Sequence, residues 1–172
     1  LVYFGKIGLG HCLTQKWIAP AEALALFVKG NELDISNQNI TDLPKEIGDL
    51  AFLNSLNIAE NHIKEVHPHI AQLKNLESIF DYKTVYSTEA EEQMHRFFPK
   101  IYAEKYNNKA ASAYQKGQHE EATEAIEVAI RLYPQENNYL ITKAAIIMAK
   151  ENDYEKTLTY LQKAAHGDFG FC

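Results

Sequence analysis

The chain has 172 residues, 46% of them apolar and 23% charged, with five prolines, a composition that supports one or two modest cores and excludes a disordered chain. Its net charge of −6 is spread evenly, with 7 Lys/Arg against 10 Asp/Glu in residues 1–86 and 10 against 13 in residues 87–172. Neither half is a basic patch able to neutralise phosphates, so no nucleic acid is expected as a partner. Two cysteines, Cys12 and Cys172, are too few for a disulfide-stapled secreted domain and point to reduced thiols in the cytoplasm. No apolar run approaches the roughly 18 residues needed to cross a bilayer, and no membrane partner is expected.

In chain order, residues 1–18 mix apolar residues with Gly5, Gly8 and Gly10, show no steady period and read as irregular. From Ala19 a helix is expected: Pro20 suits a first helical position, Glu22 lies in the first turn, and Gly30-Asn31 supplies a stop. Its apolar positions Ala23, Leu24, Phe27 and Val28 would cap the open end of an adjoining sheet.

From Leu33 to Leu76 the pattern repeats every 23 residues. Leu33, Ile35, Gln38, Ile40, Leu43, Ile47, Leu50 and Leu53 are matched by Leu56, Ile58, Asn61, Ile63, Val66, Ile70, Leu73 and Leu76. Leu33/Ile35 and Leu56/Ile58 alternate as short parallel strands must, and an amide at Gln38 or Asn61 can satisfy backbone groups where each strand turns. Leu53, Leu56, Ile58 and Asn61 carry the pattern by which residues 33–81 resemble the leucine-rich repeat family. The third unit decays: Asp81 stands where Ile35 and Ile58 stood and Thr84 replaces the amide, so its strand is expected to be short or to turn its side chain outward.

Tyr82 to Ser87 reads as a connector. Thr88 with Glu91 has capping-box spacing for a helix ending near Pro99. Two helix pairs are then expected, Ile101 to Lys116 with about Glu120 to Tyr133, and about Asn137 to Lys150 with Tyr154 to His166, at an offset of 35 residues. Gly117, His119, Ala122, Ile126, Ala129 and Pro134 occupy the positions through which residues 100–166 resemble the tetratricopeptide repeat family. The expected fold class is therefore an α/β leucine-rich solenoid followed by all-α tetratricopeptide-like helical hairpins. The expected domains are an irregular segment at 1–18, a capping helix with leucine-rich repeats at 19–86, and a helical domain at 87–172.

No catalytic constellation stands out. His62, His67 and His69 cluster, but no cysteine is near and Glu65 is the local carboxylate, so solvated loop histidines are expected and no metal. His11-Cys12 and His166 with Cys172 could meet only if the chain ends meet. The run Gly5, Gly8, Gly10 lacks the Gly-Lys-Ser/Thr ending of a phosphate loop. Glu120, Glu121, Glu124 and Glu127 lack a Glu-x-x-His pair and form a solvated face.

Binding surfaces are the stronger reading, with no enzyme activity and no cofactor expected. The strand face opposite the leucines would show Glu32, Asp34, Ser36, Ser55, Asn57, Ala59, Ser78, Phe80 and Tyr82, polar and slightly acidic with an aromatic edge. The first helices of the two pairs would show Asn107, Ala111 and Tyr114, then Thr142, Ile146, Ala149 and Lys150. Phe97, Phe98, Tyr102 and Tyr106 divide between packing and exposed anchors. From these the candidate binding residues are Asp34, Ser36, Asn57, Phe80, Tyr82, Asn107, Tyr114 and Lys150. The expected partner is a protein or peptide, a second copy of the chain included. The alternative reading is a regulatory or scaffolding fragment of a larger enzyme, suggested by a first residue, Leu1, that is not Met.

Overall fold

The computed structural model describes residues 27–167; the irregular segment at 1–18, His11, Cys12, Cys172 and the start of the helix expected from Ala19 lie outside the described residues. The chain divides into two compact units between Phe98 and Pro99.

In the first unit the strands are short: β1 Val28–Lys29, β2 Glu32–Asp34, β3 Asp42–Leu43, β4 Ser55–Asn57, β5 His62–Ile63, β6 Glu65–Val66, β7 Ser78–Phe80 and β8 Val85–Tyr86. The 23-residue spacing sets their register, with Leu33 opposite Leu56 and Leu56 opposite Ile79 in parallel ladders. A slip of one residue would turn all three to solvent, so burial of this leucine row pins the pairing. Leu33 and Leu56 are fully buried and Ile79 is 2% exposed. Each such side chain contributes about 1.5–3 kcal/mol relative to exposure. Asp42 and Leu43 pair with Glu65 and Val66, and His62 and Ile63 pair with Val85 and Tyr86, at the same offset. After β2, β4 and β7 the chain turns through Asn37, Glu60 and Lys83, each in the left-handed region at φ 52°, 57° and 57°.

Asn61 is fully buried and ties two of these turns together. Its Nδ2 donates to the carbonyls of Ile35 and Ile58 at 2.9 Å and of Ala59 at 3.2 Å, while its Oδ1 accepts from the N–H of Ile40 at 2.9 Å and of Gln38 at 3.2 Å. In the decayed third unit Thr84 does one of these jobs, its Oγ1 donating to the Ile58 carbonyl at 2.8 Å. The third strand is not shortened as expected: β7 spans three residues, as β2 and β4 do, and the half-buried Asp81 that follows it accepts from the Tyr86 hydroxyl at 3.2 Å.

The expected fold class, an α/β leucine-rich solenoid followed by an all-α tetratricopeptide-like array, is not the one formed. Helix accounts for 56% and strand for 13% of the described residues, with five α-helices and no closed or solenoid sheet. The strands fall into a mixed four-stranded sheet, ordered β1-β2-β4-β7, and two two-stranded sheets. Two physical causes account for this. Three units of two- or three-residue strands are too few to wind a continuous sheet, and β1 pairs antiparallel with β2, closing that edge. The same pairing corrects the end of the expected capping helix: Val28 and Lys29 are strand, and Gly30, at φ +61°, opens the two-residue turn to Glu32. Glycine at the first turn position is a hairpin signal as well as a helix stop.

Helix α1, Thr88–Phe97, packs on β6, β8 and the 3-10 turn Pro68–Gln72, and so belongs with the first unit. Its N-cap is Ser87, one residue before the expected Thr88: the Ser87 Oγ accepts from the Ala90 N–H at 3.1 Å and donates to the Lys64 carbonyl at 2.8 Å. Tyr82 to Ser87 is not a bare connector, because it contains β8.

The second unit holds α2 Pro99–Gln115, α3 His119–Leu132, α4 Asn137–Glu151 and α5 Tyr154–His166. Small side chains set its packing. Ala103, Ala110, Ala113, Ala122, Ala125 and Ala129 are buried around Ile126, Tyr139 and Ile146, so that α2 and α3 approach closely. Gly117, at φ +74°, turns α2 into α3, and Asn152, at φ 52°, ends α4 before Asp153 caps α5 by accepting from the Lys156 N–H at 2.9 Å.

Candidate functional site

The sheet carries the clearest assembly of side chains. With Leu33, Leu56 and Ile79 turned to the core, the alternation of the pleat leaves Asp34, Asn57 and Phe80 as one rung across β2, β4 and β7 on the other face. The ladder continues one step further, since the N–H of Asn37 donates to the Ala59 carbonyl and that of Glu60 to the Tyr82 carbonyl, at 2.8 and 2.9 Å. Ser36, Ala59 and Tyr82 therefore form a second rung. Five of the candidate residues, Asp34, Ser36, Asn57, Phe80 and Tyr82, are thus brought to one surface. Phe80 is 55% and Tyr82 71% exposed. Of the remaining expected positions, Ser55 is buried, while Glu32 is exposed and Ser78 half-buried.

Local hydrogen bonds hold the polar part of this surface. The N–H and hydroxyl of Ser36 both donate to Asp34 Oδ1, at 3.0 and 2.7 Å. These two bonds hold the Asp34 carboxyl below its usual range against an opposing desolvation, with Asn57 and Lys29 adding lesser effects in the same direction as Ser36. Asn57 Oδ1 accepts from the Ala59 N–H at 3.1 Å, which fixes the amide at the centre of the face.

Sequence reasoning missed two cations. Lys29 pairs across the hairpin with Glu32 and lies on the same face. The Gly30-Asn31 dipeptide was the available signal, but the helical pattern running into Phe27 and Val28 outweighed it. Lys83 places its ammonium 5.1 Å from the Tyr82 ring centre, a contact that depends on the left-handed turn at Lys83.

The other three candidates belong to the second unit and are not gathered into one site. Asn107 and Tyr114 lie two turns apart on α2. Asn107 Oδ1 is buried without a hydrogen-bond partner among the described residues. Tyr114 packs edge-on to His119, with ring centres 6.3 Å apart. Lys150 pairs with Glu120 at 3.5 Å, linking α4 to the start of α3. Glu120 is held below its usual range first by its own backbone N–H and then by Lys150. Ile146, expected at this surface, is 1% exposed and part of the core. Of the aromatic group, Phe98 and Tyr102 are buried, while Phe97 and Tyr106 are half-buried.

Among the described residues no group of three or more His, Cys, Asp or Glu side chains is placed to hold a metal. His62 and His67 are exposed, and His69 shares a 2.9 Å hydrogen bond with Asp49. No helix among the described residues is long and apolar enough to cross a membrane. No family model, curated protein or solved structure matches the chain.

Proposed function

We propose that the chain is a non-catalytic protein-binding module in which the sheet face bearing Asp34, Asn57, Phe80 and Tyr82 contacts a protein or peptide partner. The observation that carries this reading is the exposure of Phe80 and Tyr82, 55% and 71%, beside an ordered rung of polar side chains. Large rings in water at the edge of a polar patch supply apolar area when a partner covers them, and aromatic residues dominate the energetics of such contacts. The carboxylate, amide and hydroxyls of the face supply hydrogen bonds for orientation. The scarcity of cysteine supports a cytoplasmic setting.

The test is affinity capture with the full chain and with Asn57→Arg, which plants a long cation at the centre of the face without touching the core. Loss of the captured partner in the variant, with an unchanged circular dichroism spectrum, is the expected result. Equal capture by both chains would overturn the reading.

A further inference from the structure

Resting on that reading, we infer that the occupant of the sheet face is a peptide segment in polyproline II conformation that places a cationic side chain at Asp34 and an apolar one, three residues away, at Phe80 and Tyr82.

The spacing comes from the rung itself. Asp34 and Phe80 stand on β2 and β7, with β4 between them. Neighbouring strands lie about 4.8 Å apart, so the two side chains originate about 10 Å from one another. A fully extended strand laid across them cannot match that gap with one side of its chain, because same-side residues recur at about 6.7 and 13 Å. A polyproline II segment returns to the same side every third residue with a rise of about 3.1 Å each, or about 9 Å. That period fits, and the stiffness of such a segment lowers the entropy lost on binding.

Charge sets the direction. Glu32 faces Lys29 directly across the hairpin, and the Lys83 ammonium sits over the Tyr82 ring. Glu32 and Asp34 thus share the Lys29 ammonium, which acts on Asp34 as well, so the β1–β2 side of the face keeps a net negative charge, and Ser36 fixes the Asp34 carboxylate through both the N–H and the hydroxyl. A cation docked there meets an already oriented, fully ionised acid. At the other end of the rung Phe80 and Tyr82, two residues apart on the same face, offer ring area to one apolar side chain.

The probe is a blocked peptide, Gly-Arg-Pro-Pro-Phe-Gly, titrated into the isotopically labelled full chain while backbone amide shifts are followed. Three comparison peptides carry Glu in place of Arg, a single residue between Arg and Phe, or an Arg and a Phe seven apart in a helix-forming sequence. The expected result is that the first peptide binds most tightly and shifts the amides of Asp34, Asn57, Phe80 and Tyr82. Asp34→Asn should weaken it about two- to fivefold, as for an exposed ion pair. Phe80→Ala should weaken it about tenfold. Both side chains are exposed, and the dispersion of the amide spectrum reports that each variant is folded. Equal binding of the Glu peptide, tighter binding of the helical one, shifts confined to other surfaces, or no shifts at millimolar peptide would each overturn the inference. If Asn57→Arg abolishes partner capture while the peptide charge and Asp34→Asn have no effect, the face binds but not by this chemistry. If Asn57→Arg leaves capture intact, the functional reading fails too.

Discussion

Replacing Asn61 by alanine removes five hydrogen bonds from a position with no solvent access. Not all of the five matter equally. The Ile58 carbonyl keeps the Thr84 hydroxyl at 2.8 Å, and the Ala59 carbonyl keeps the Asn37 N–H at 2.8 Å. The Ile35 carbonyl, the Ile40 N–H and the Gln38 N–H have no second partner among the described residues. A buried polar group left without a bond costs about 1–3 kcal/mol, so two buried orphans and one half-buried one sum to about 3–6 kcal/mol. That rivals the whole stability of a small unit, about 5–15 kcal/mol. Thr84→Val is the matched control, because the carbonyl it abandons still accepts from Asn61; its expected cost is about 1 kcal/mol. Urea unfolding followed by circular dichroism gives both values, and amide exchange at Gln38 and Ile40 tells whether the loss arises at this turn. Equal effects of the two substitutions, or a loss below about 1 kcal/mol for Asn61→Ala, would refute the accounting.

Three other contacts give measurable outcomes. Gly48 is buried, and a Cβ there would stand 2.2 Å from the His69 carbonyl oxygen, so Gly48→Ala should lower the stability of the first unit by about 1–3 kcal/mol; an unchanged urea midpoint would show that the backbone yields freely. Ser87→Ala removes the cap of α1 together with its bond to Lys64, with an expected cost of about 0.5–2 kcal/mol and faster amide exchange at Ala90. Burial, reinforced by Glu104, Glu136 and Tyr133, pushes the Tyr139 hydroxyl up to about 12 from 10.0. A group that holds its proton more tightly when folded loses its contribution as pH rises, here between about 10 and 12. Tyr139→Phe should therefore flatten the alkaline limb of the stability profile in that window, and an identical limb in the variant would contradict the assignment.

The parts of the fold that were legible in the sequence are those fixed by a period. The offset that aligns Leu33 with Leu56 is the pairing register of β2 with β4, and the helices of the second unit start and stop close to where Gly117, Pro134 and Asn152 indicate. The sheet that results was less legible. Strand length depends on how far a ladder can continue before its neighbours run out, and nothing local says that β3 and β6 form a separate pair. The reversal at Gly30 was hidden because alanines and leucines upstream favour helix, while the long-range partner of Val28 is Leu33. The candidate face came from strand alternation, which is why Asp34, Ser36, Asn57, Phe80 and Tyr82 could be named together. Ile146 was misplaced because helix periodicity identifies a face without saying what packs against it.

The most direct measurement of the binding reading is photo-crosslinking with a benzophenone amino acid introduced at Asn57, compared with the same group at the exposed Gln72 in the 3-10 turn Pro68–Gln72. The account predicts a discrete protein or peptide adduct from the Asn57 position, suppressed by Phe80→Ala, and none from Gln72. Adducts from Gln72 with none from Asn57, or Asn57 adducts indifferent to Phe80, would contradict it.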